Sequence, residues 1–204
     1  MIDSKHRLPT DTDDGLLVIM SGPSGVGKTT IARAVERAVP ASLFSVSATT
    51  RAKTESDVEG VDYHFVDEPT FRAMVDDDEL LEWAEVFGRL YGTPRAWVEE
   101  QLRRGRVVIC DIDVQGAKQI KARMPEALTI FVLPPSEPEL LERLRQRKRE
   151  GEEAIQKRFA EAKREIAAAR ASGVYEHFLV NEDLDTSIAK AIALVHEARS
   201  RTRR

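Results

Sequence analysis

The densest chemistry in the chain lies in Gly22-Pro23-Ser24-Gly25-Val26-Gly27-Lys28-Thr29, followed by Thr30. Its three glycines permit positive φ and close backbone approach, so successive N–H groups can point at phosphate oxygens with a helix N-terminus behind them. Lys28 adds a charge for β and γ phosphates, and Thr29 adds a hydroxyl for Mg²⁺. Gly22 to Thr30 are therefore expected to hold a nucleoside triphosphate. The alternative is a glycine-rich turn that only caps a helix, and neither reading names the group that accepts the phosphate.

A second cluster is "VVICDID", ending at Asp113. A carboxylate at the C-terminal end of a buried strand beside a phosphate loop can hold a metal-bound water or bias an acceptor site. Asp111 is expected to reach Mg²⁺ through water; either aspartate could instead cap the next helix. Cys110, the single cysteine, sits in the apolar part of this run, which predicts a buried thiol and excludes a disulfide within the chain. The four histidines are scattered, without the spacing of a metal site.

These side chains must be positioned by the elements around them. Apolar runs at 16–20, 106–112 and 128–133 read as strands buried on both faces, and "HFLVN", ending at Asn181, reads as a last strand. Helices are expected over 28–39, 94–104, 114–123, about 136–149, 152–171 and 185–201. The alternation predicts an α/β sandwich with a mainly parallel central sheet. Residues 44–92 break it, with β-like pieces "LFSVSAT" and "DYHFV" and a helix begun by "DEPTF", which reads as an excursion from the core.

Residues 1–14 are polar and aperiodic and read as a mobile arm; 15–204 form one domain. The net charge of −4 combines acidic stretches with the basic "RLRQRKRE" and "RSRTRR", a pattern for one localised anion site rather than a nucleic-acid surface. Neither a membrane span nor a signal core is visible, so a cytoplasmic location is expected.

In order and spacing, "SGPSGVGKTT", "FSVSATTR", "GVDYHFV", "LLEWAEVFGRLYGTP", "CDIDVQGAK" and "LVNEDLD" resemble the guanylate kinases, from about Leu16 to Ala198. The resemblance implies a P-loop three-layer sandwich with an acceptor-binding insertion at about 46–95 and a small helical lid at about 143–158. It implies transfer of a phosphoryl group from Mg·ATP to GMP or dGMP by a monomer or homodimer. Ser47, Glu82, Thr93 and Asp113 match guanosine-contacting positions, with Gly92 beside them; Arg51, Tyr63 and Tyr91 match positions that hold the GMP phosphate. Asn181 falls where the adenosine end of ATP is contacted, and Arg143, Arg147 and Arg158 where arginines close over the phosphates.

Guanine offers two adjacent donors, N1–H and the 2-amino group, which a carboxylate such as Glu82 can accept together. Adenine would face it acceptor to acceptor, a mismatch worth ~10³-fold or more in discrimination. One departure stands out. The family usually reads R-x-P-R-x-G-E from its first arginine, whereas this chain has "RAKTESD" from Arg51, with Lys53 for the proline and Thr54 for the second arginine. The loss of one guanidinium removes a contact of about 1.5 to 3 kcal/mol unless Lys53 replaces it. Two rival readings follow from fold alone: a kinase for ribose 1,5-bisphosphate, or a non-catalytic phosphopeptide-binding module.

Overall fold

The computed structural model describes residues 15–86, 88–146 and 151–202. The expected arm, residues 1–14, and Arg147 of the expected lid lie outside the described residues. Leu16–Ser21 (β1), Ser42–Phe44 (β2), Val107–Asp111 (β7), Leu128–Leu133 (β8) and His177–Val180 (β9) form a parallel sheet in the order β2-β7-β1-β8-β9. Parallel neighbours need crossovers, and helices lie in them: Lys28–Ala38 (α1), Arg95–Arg103 (α3), Val114–Arg123 (α4), Glu137–Gln146 (α5) and Glu152–Ser172 (α6), while Leu184–Thr202 (α7) follows the last strand.

β1 is buried throughout, and its side chains alternate between two cores. Leu16, Val18 and Met20 pack with Ile31, Val35, Leu140 and Val195 on one face of the sheet. Leu17 and Ile19 pack with Val98, Ala117 and Ile120 on the other. Full burial of each such side chain contributes about 1.5–3 kcal/mol, and burial on both faces explains why the strand is an unbroken apolar run. The register Leu16↔Val107 to Met20↔Asp111 brings Asp111 level with the end of β1.

A second sheet is built from Ala48–Thr49 (β3), His64–Phe65 (β4), Leu80–Val86 (β5) and Arg89–Pro94 (β6), in the order β4-β3-β6-β5. It packs around Phe71 of Glu68–Asp76 (α2) together with Ala48, Leu80 and Leu90. Asp67 caps α2 by accepting from the Thr70 N–H at 2.9 Å, and Pro69 lies in the first turn, where no amide donor is needed.

Two corrections to the sequence reading follow. "LFSVSAT" is not one β piece: Ser42–Phe44 belongs to the parallel sheet, and the chain departs only after the Ser45 N–H bonds Ile109 C=O at 2.8 Å. The β5–β6 hairpin was not anticipated, because its inward set, Leu80, Glu82 and Ala84, carries a charge while Trp83 faces outward. The hairpin is tied to α4 from two sides. The Gln119 amide bonds both Trp83 N–H (3.2 Å) and Trp83 C=O (2.7 Å), and Arg123 donates to Leu80 C=O at 3.2 Å. No helix among the described residues is long and apolar enough to cross a membrane.

Candidate active site

Gly22, Gly25 and Gly27 connect β1 to α1 with φ of 148°, 94° and 87°. A Cβ at Gly22 would come within 2.5 Å of Val132 O, and one at Gly27 within 2.7 Å of Asn181 Nδ2, so conformation and space both require glycine. Lys28 and Thr29, at the start of α1, converge on Asp111 at the end of β7. Lys28 Nζ pairs with Asp111 Oδ1, and Thr29 Oγ1 donates to Asp111 Oδ2 at 2.6 Å. Burial opposes the Lys28 charge, but Asp111, joined by Glu165 and Asp113, outweighs it and raises the ammonium pKa.

A hydroxyl and a carboxylate this close form a hard-oxygen edge of the kind Mg²⁺ prefers, usually completed by water and phosphate. Thr29 and Asp111 fit that ion. Among the described residues no three His, Cys, Asp or Glu side chains are grouped to hold a metal by themselves.

Two expected lid arginines lie at the rim of the loop. Arg158 of α6 donates to Ser24 Oγ, and Arg143 of α5 donates to Asn181 C=O at 3.0 Å. Gly151, read from sequence as a hinge, is the N-cap of α6 in extended backbone, with open space where a Cβ would stand. Asn181 is buried; its amide donates to Val26 C=O at 2.7 Å and its backbone N–H to Leu133 C=O at 2.8 Å. It thus grips the phosphate loop itself, while its Oδ1 is buried without a protein partner among the described residues.

Glu82, Thr93 and Asp113 come together where β5 and β6 meet the start of α4. Glu82 is only 4% exposed, and Thr93 Oγ1 donates to its Oε1 at 2.6 Å. Burial, with a contribution from the Asp113 charge and against the Thr93 hydrogen bond, pushes the Glu82 carboxyl up to about 7. Asp113 realises the capping alternative: its Oδ1 accepts from Gly116 N–H at 2.8 Å as the N-cap of α4. Gly92 is tightly packed, since a Cβ there would meet Leu80 Cδ1 at 2.7 Å. Ser47 is half-buried just before β3, and its carbonyl accepts from His64 N–H at 2.9 Å.

Arg51 follows β3. Its guanidinium carbon lies 5.0 Å from the Tyr63 ring centre and 5.3 Å from that of Phe65, and Tyr63 meets Tyr91 edge-on at 5.8 Å. Both forks of Arg51 are taken by Asp57, at 2.9 Å each. Arg33 of α1, lying over Phe44, donates to Val61 C=O at 3.2 Å and ties this loop to the core.

The guanylate kinase family model matches residues 15–198. The chain belongs to the guanylate kinase family. It is 46% identical over 199 residues to a guanylate kinase of Anaeromyxobacter dehalogenans, covering 97% of this chain and 85% of that one. It is 46% identical over 191 residues to a guanylate kinase of Zymomonas mobilis, covering 93% and 87%. The crystal structure of guanylate kinase from Anaplasma phagocytophilum superposes with a TM-score of 0.73 at 33% identity, over 90% of this chain and 86% of that one.

Two residues near the site, Gly116 and Glu165, escaped the sequence reading, and a third, Asp57, was legible only as negative charge close to Arg51 in the chain. Gly116 gives Glu82 its place, because a Cβ on it would overlap the Glu82 carboxylate. Asp57 occupies Arg51. Glu165 of α6 is pushed up to about 7 by burial, against the pull of Lys28 and with Asp113, Glu161 and Asp111 adding to the rise. Of Gly116 and Glu165, only Glu165 left a trace in the sequence: Ile155, Arg158, Ala162, Glu165 and Ala169 recur at the spacing of one helix face, three of them buried and apolar.

Proposed function

We propose that the guanylate kinase reaction, transfer of the γ-phosphoryl of Mg·ATP to GMP or dGMP, runs here between the Gly22–Thr29 loop and the pocket at Glu82. Lys28 and the loop N–H groups hold the triphosphate, with Asn181 fixing the loop at Val26. Thr29, and Asp111 through water, would hold Mg²⁺, which when bound neutralises phosphate charge. Arg143 and Arg158, anchored at the loop rim, meet the charge on the transferring group, with Arg147 completing the set; in-line placement and exclusion of water supply the rate.

On the acceptor side, Glu82 accepts from guanine N1–H and the 2-amino group, with Ser47, Thr93 and Asp113 around it. Arg51, Tyr63 and Tyr91 take the phosphate. The observation that carries the reading is the Glu82 carboxylate, buried at 4% exposure beside Thr93 and Asp113 with no cation bonded to it among the described residues. An uncompensated buried carboxylate is costly; paired donors of guanine offset that cost, whereas a ribose phosphate offers no such edge.

The test is a coupled assay with Mg·ATP against GMP, dGMP, AMP, UMP and ribose 1,5-bisphosphate. Turnover is expected with GMP and dGMP alone. Equal turnover with AMP, or preference for the ribose ester, refutes the assignment of Glu82.

A further inference from the structure

We propose that Asp57 is an internal competitor for the acceptor phosphate: its carboxylate takes the bidentate seat on Arg51 that a phosphate needs, and GMP binds by exchanging one anion for the other. The inference rests on the reading of Arg51 as a phosphate-binding residue.

Four donors converge on Asp57. Arg51 Nη1 and Nη2 each approach one carboxylate oxygen at 2.9 Å, a fork-to-fork geometry that phosphate shares. Thr54 adds its backbone N–H at 2.7 Å and its hydroxyl at 2.6 Å, both to Oδ2. Arg51 and Thr54 together hold the Asp57 carboxyl well below the usual carboxylate range. The remaining contact of Arg51 Nη1 is the Ala52 carbonyl at 3.1 Å.

The location gives the pair its meaning. The guanidinium lies beside Tyr63, which meets Tyr91, so the ion pair occupies the cluster assigned to the acceptor phosphate. Thr54 stands where the family pattern has a second arginine. A cation there would add to the pull on an incoming phosphate; a hydroxyl and an N–H instead fasten the competing carboxylate. An acceptor phosphate carrying about −1.5 to −2 outbids a single carboxylate at Arg51, but its affinity is reduced by the fraction of time that Asp57 holds the seat.

Calorimetric titration with GMP and with guanosine, which lacks the phosphate, separates the possibilities. Asp57→Asn is expected to tighten GMP by at least about threefold and leave guanosine unchanged. Thr54→Val, which loosens Asp57 without touching Arg51, should shift GMP the same way by less. In the Arg51→Ala background, Asp57→Asn should change nothing, because the contested seat is gone.

Weaker or unchanged GMP binding by Asp57→Asn, with guanosine binding intact, overturns the proposal and makes Asp57 an orienting group or a bystander. Tightening that persists without Arg51 overturns it too. If Arg51→Ala alone leaves GMP affinity unchanged, the phosphate-site reading itself falls. Guanosine binding in each variant reports that the pocket is folded.

Discussion

The Glu82 carboxylate lies directly on the backbone of Gly116 in the first turn of α4, so close that a single added methyl group would overlap it. A helical glycine normally costs about 1 kcal/mol relative to alanine, yet here it makes room for the carboxylate proposed to read guanine. Gly116→Ala is therefore expected to raise the KM for GMP by at least about fivefold, since one misplaced buried contact is worth ~1–3 kcal/mol. The KM for Mg·ATP should stay unchanged. Steady-state kinetics with each substrate varied in turn checks this; an unaltered GMP KM would place guanine elsewhere.

Burial raises the Glu82 carboxyl to about 7, so its charged form, the one proposed to accept from guanine, is lost as pH falls below neutral. Guanosine affinity is expected to drop by about tenfold per pH unit on the acid side of that value. Guanosine is the suitable probe because it carries no titrating phosphate. Binding should also release a proton near neutral pH, visible as a buffer-dependent enthalpy. Glu82→Gln should flatten the profile; a slope that survives the substitution assigns the titration to another group.

Two carboxyls with raised pKa, buried Glu82 and half-buried Glu165, make stability depend on pH. Glu82 and Glu165 both rise from 4.5 to about 7 on folding, so the folded chain binds these protons more tightly than the unfolded one. Their contribution is fully present below the unfolded value of 4.5 and is lost as pH climbs through about 7. Urea denaturation across that window should show stability falling by a few kcal/mol, each carboxyl contributing about 1.4 kcal/mol for every tenfold gain in its proton affinity on folding. Glu165→Gln should reduce the fall, and a fall of undiminished size would remove Glu165 from the account.

Lys28→Ala is expected to abolish turnover by at least about 10³-fold, as for loss of a cation that meets charge on the transferring group. Its circular dichroism should remain that of the parent. Retained turnover would show that the loop does not hold the donor.

Asn181→Ala removes the hydrogen bond to Val26 C=O. The expected result is a destabilisation of about 1–2 kcal/mol, from a buried acceptor left without its donor, together with a raised KM for Mg·ATP and an unchanged KM for GMP. A change confined to melting temperature would make Asn181 a packing residue only.

The three central strands of the parallel sheet, β1, β7 and β8, were legible because burial on both faces leaves contiguous apolar runs. Leu128–Leu133 and the helix Val114–Arg123 match their sequence-read limits. The β5–β6 hairpin was not, because function reverses its pattern: Glu82 points inward and Trp83 outward. Among the site residues, the Gly22–Thr29 loop was legible as local chemistry, since its spacing alone determines its backbone. Glu82, Tyr63 and Tyr91 carried no such local signal and were read only through the linked motifs. Asp57 could not have been paired with Arg51 from sequence, because the contact depends on how the loop turns back at Thr54.

Asp111 closes on Thr29 across 82 residues of sequence, and β1 needs both β7 and β8 as neighbours. A ribosome therefore makes Lys28 long before its counter-ion exists. The nascent phosphate loop has neither its carboxylate nor its β8 wall until the chain has emerged through Leu133, and domains of this kind fold as units. A donor nucleotide therefore has no complete site to bind until β8 has joined β1 and β7.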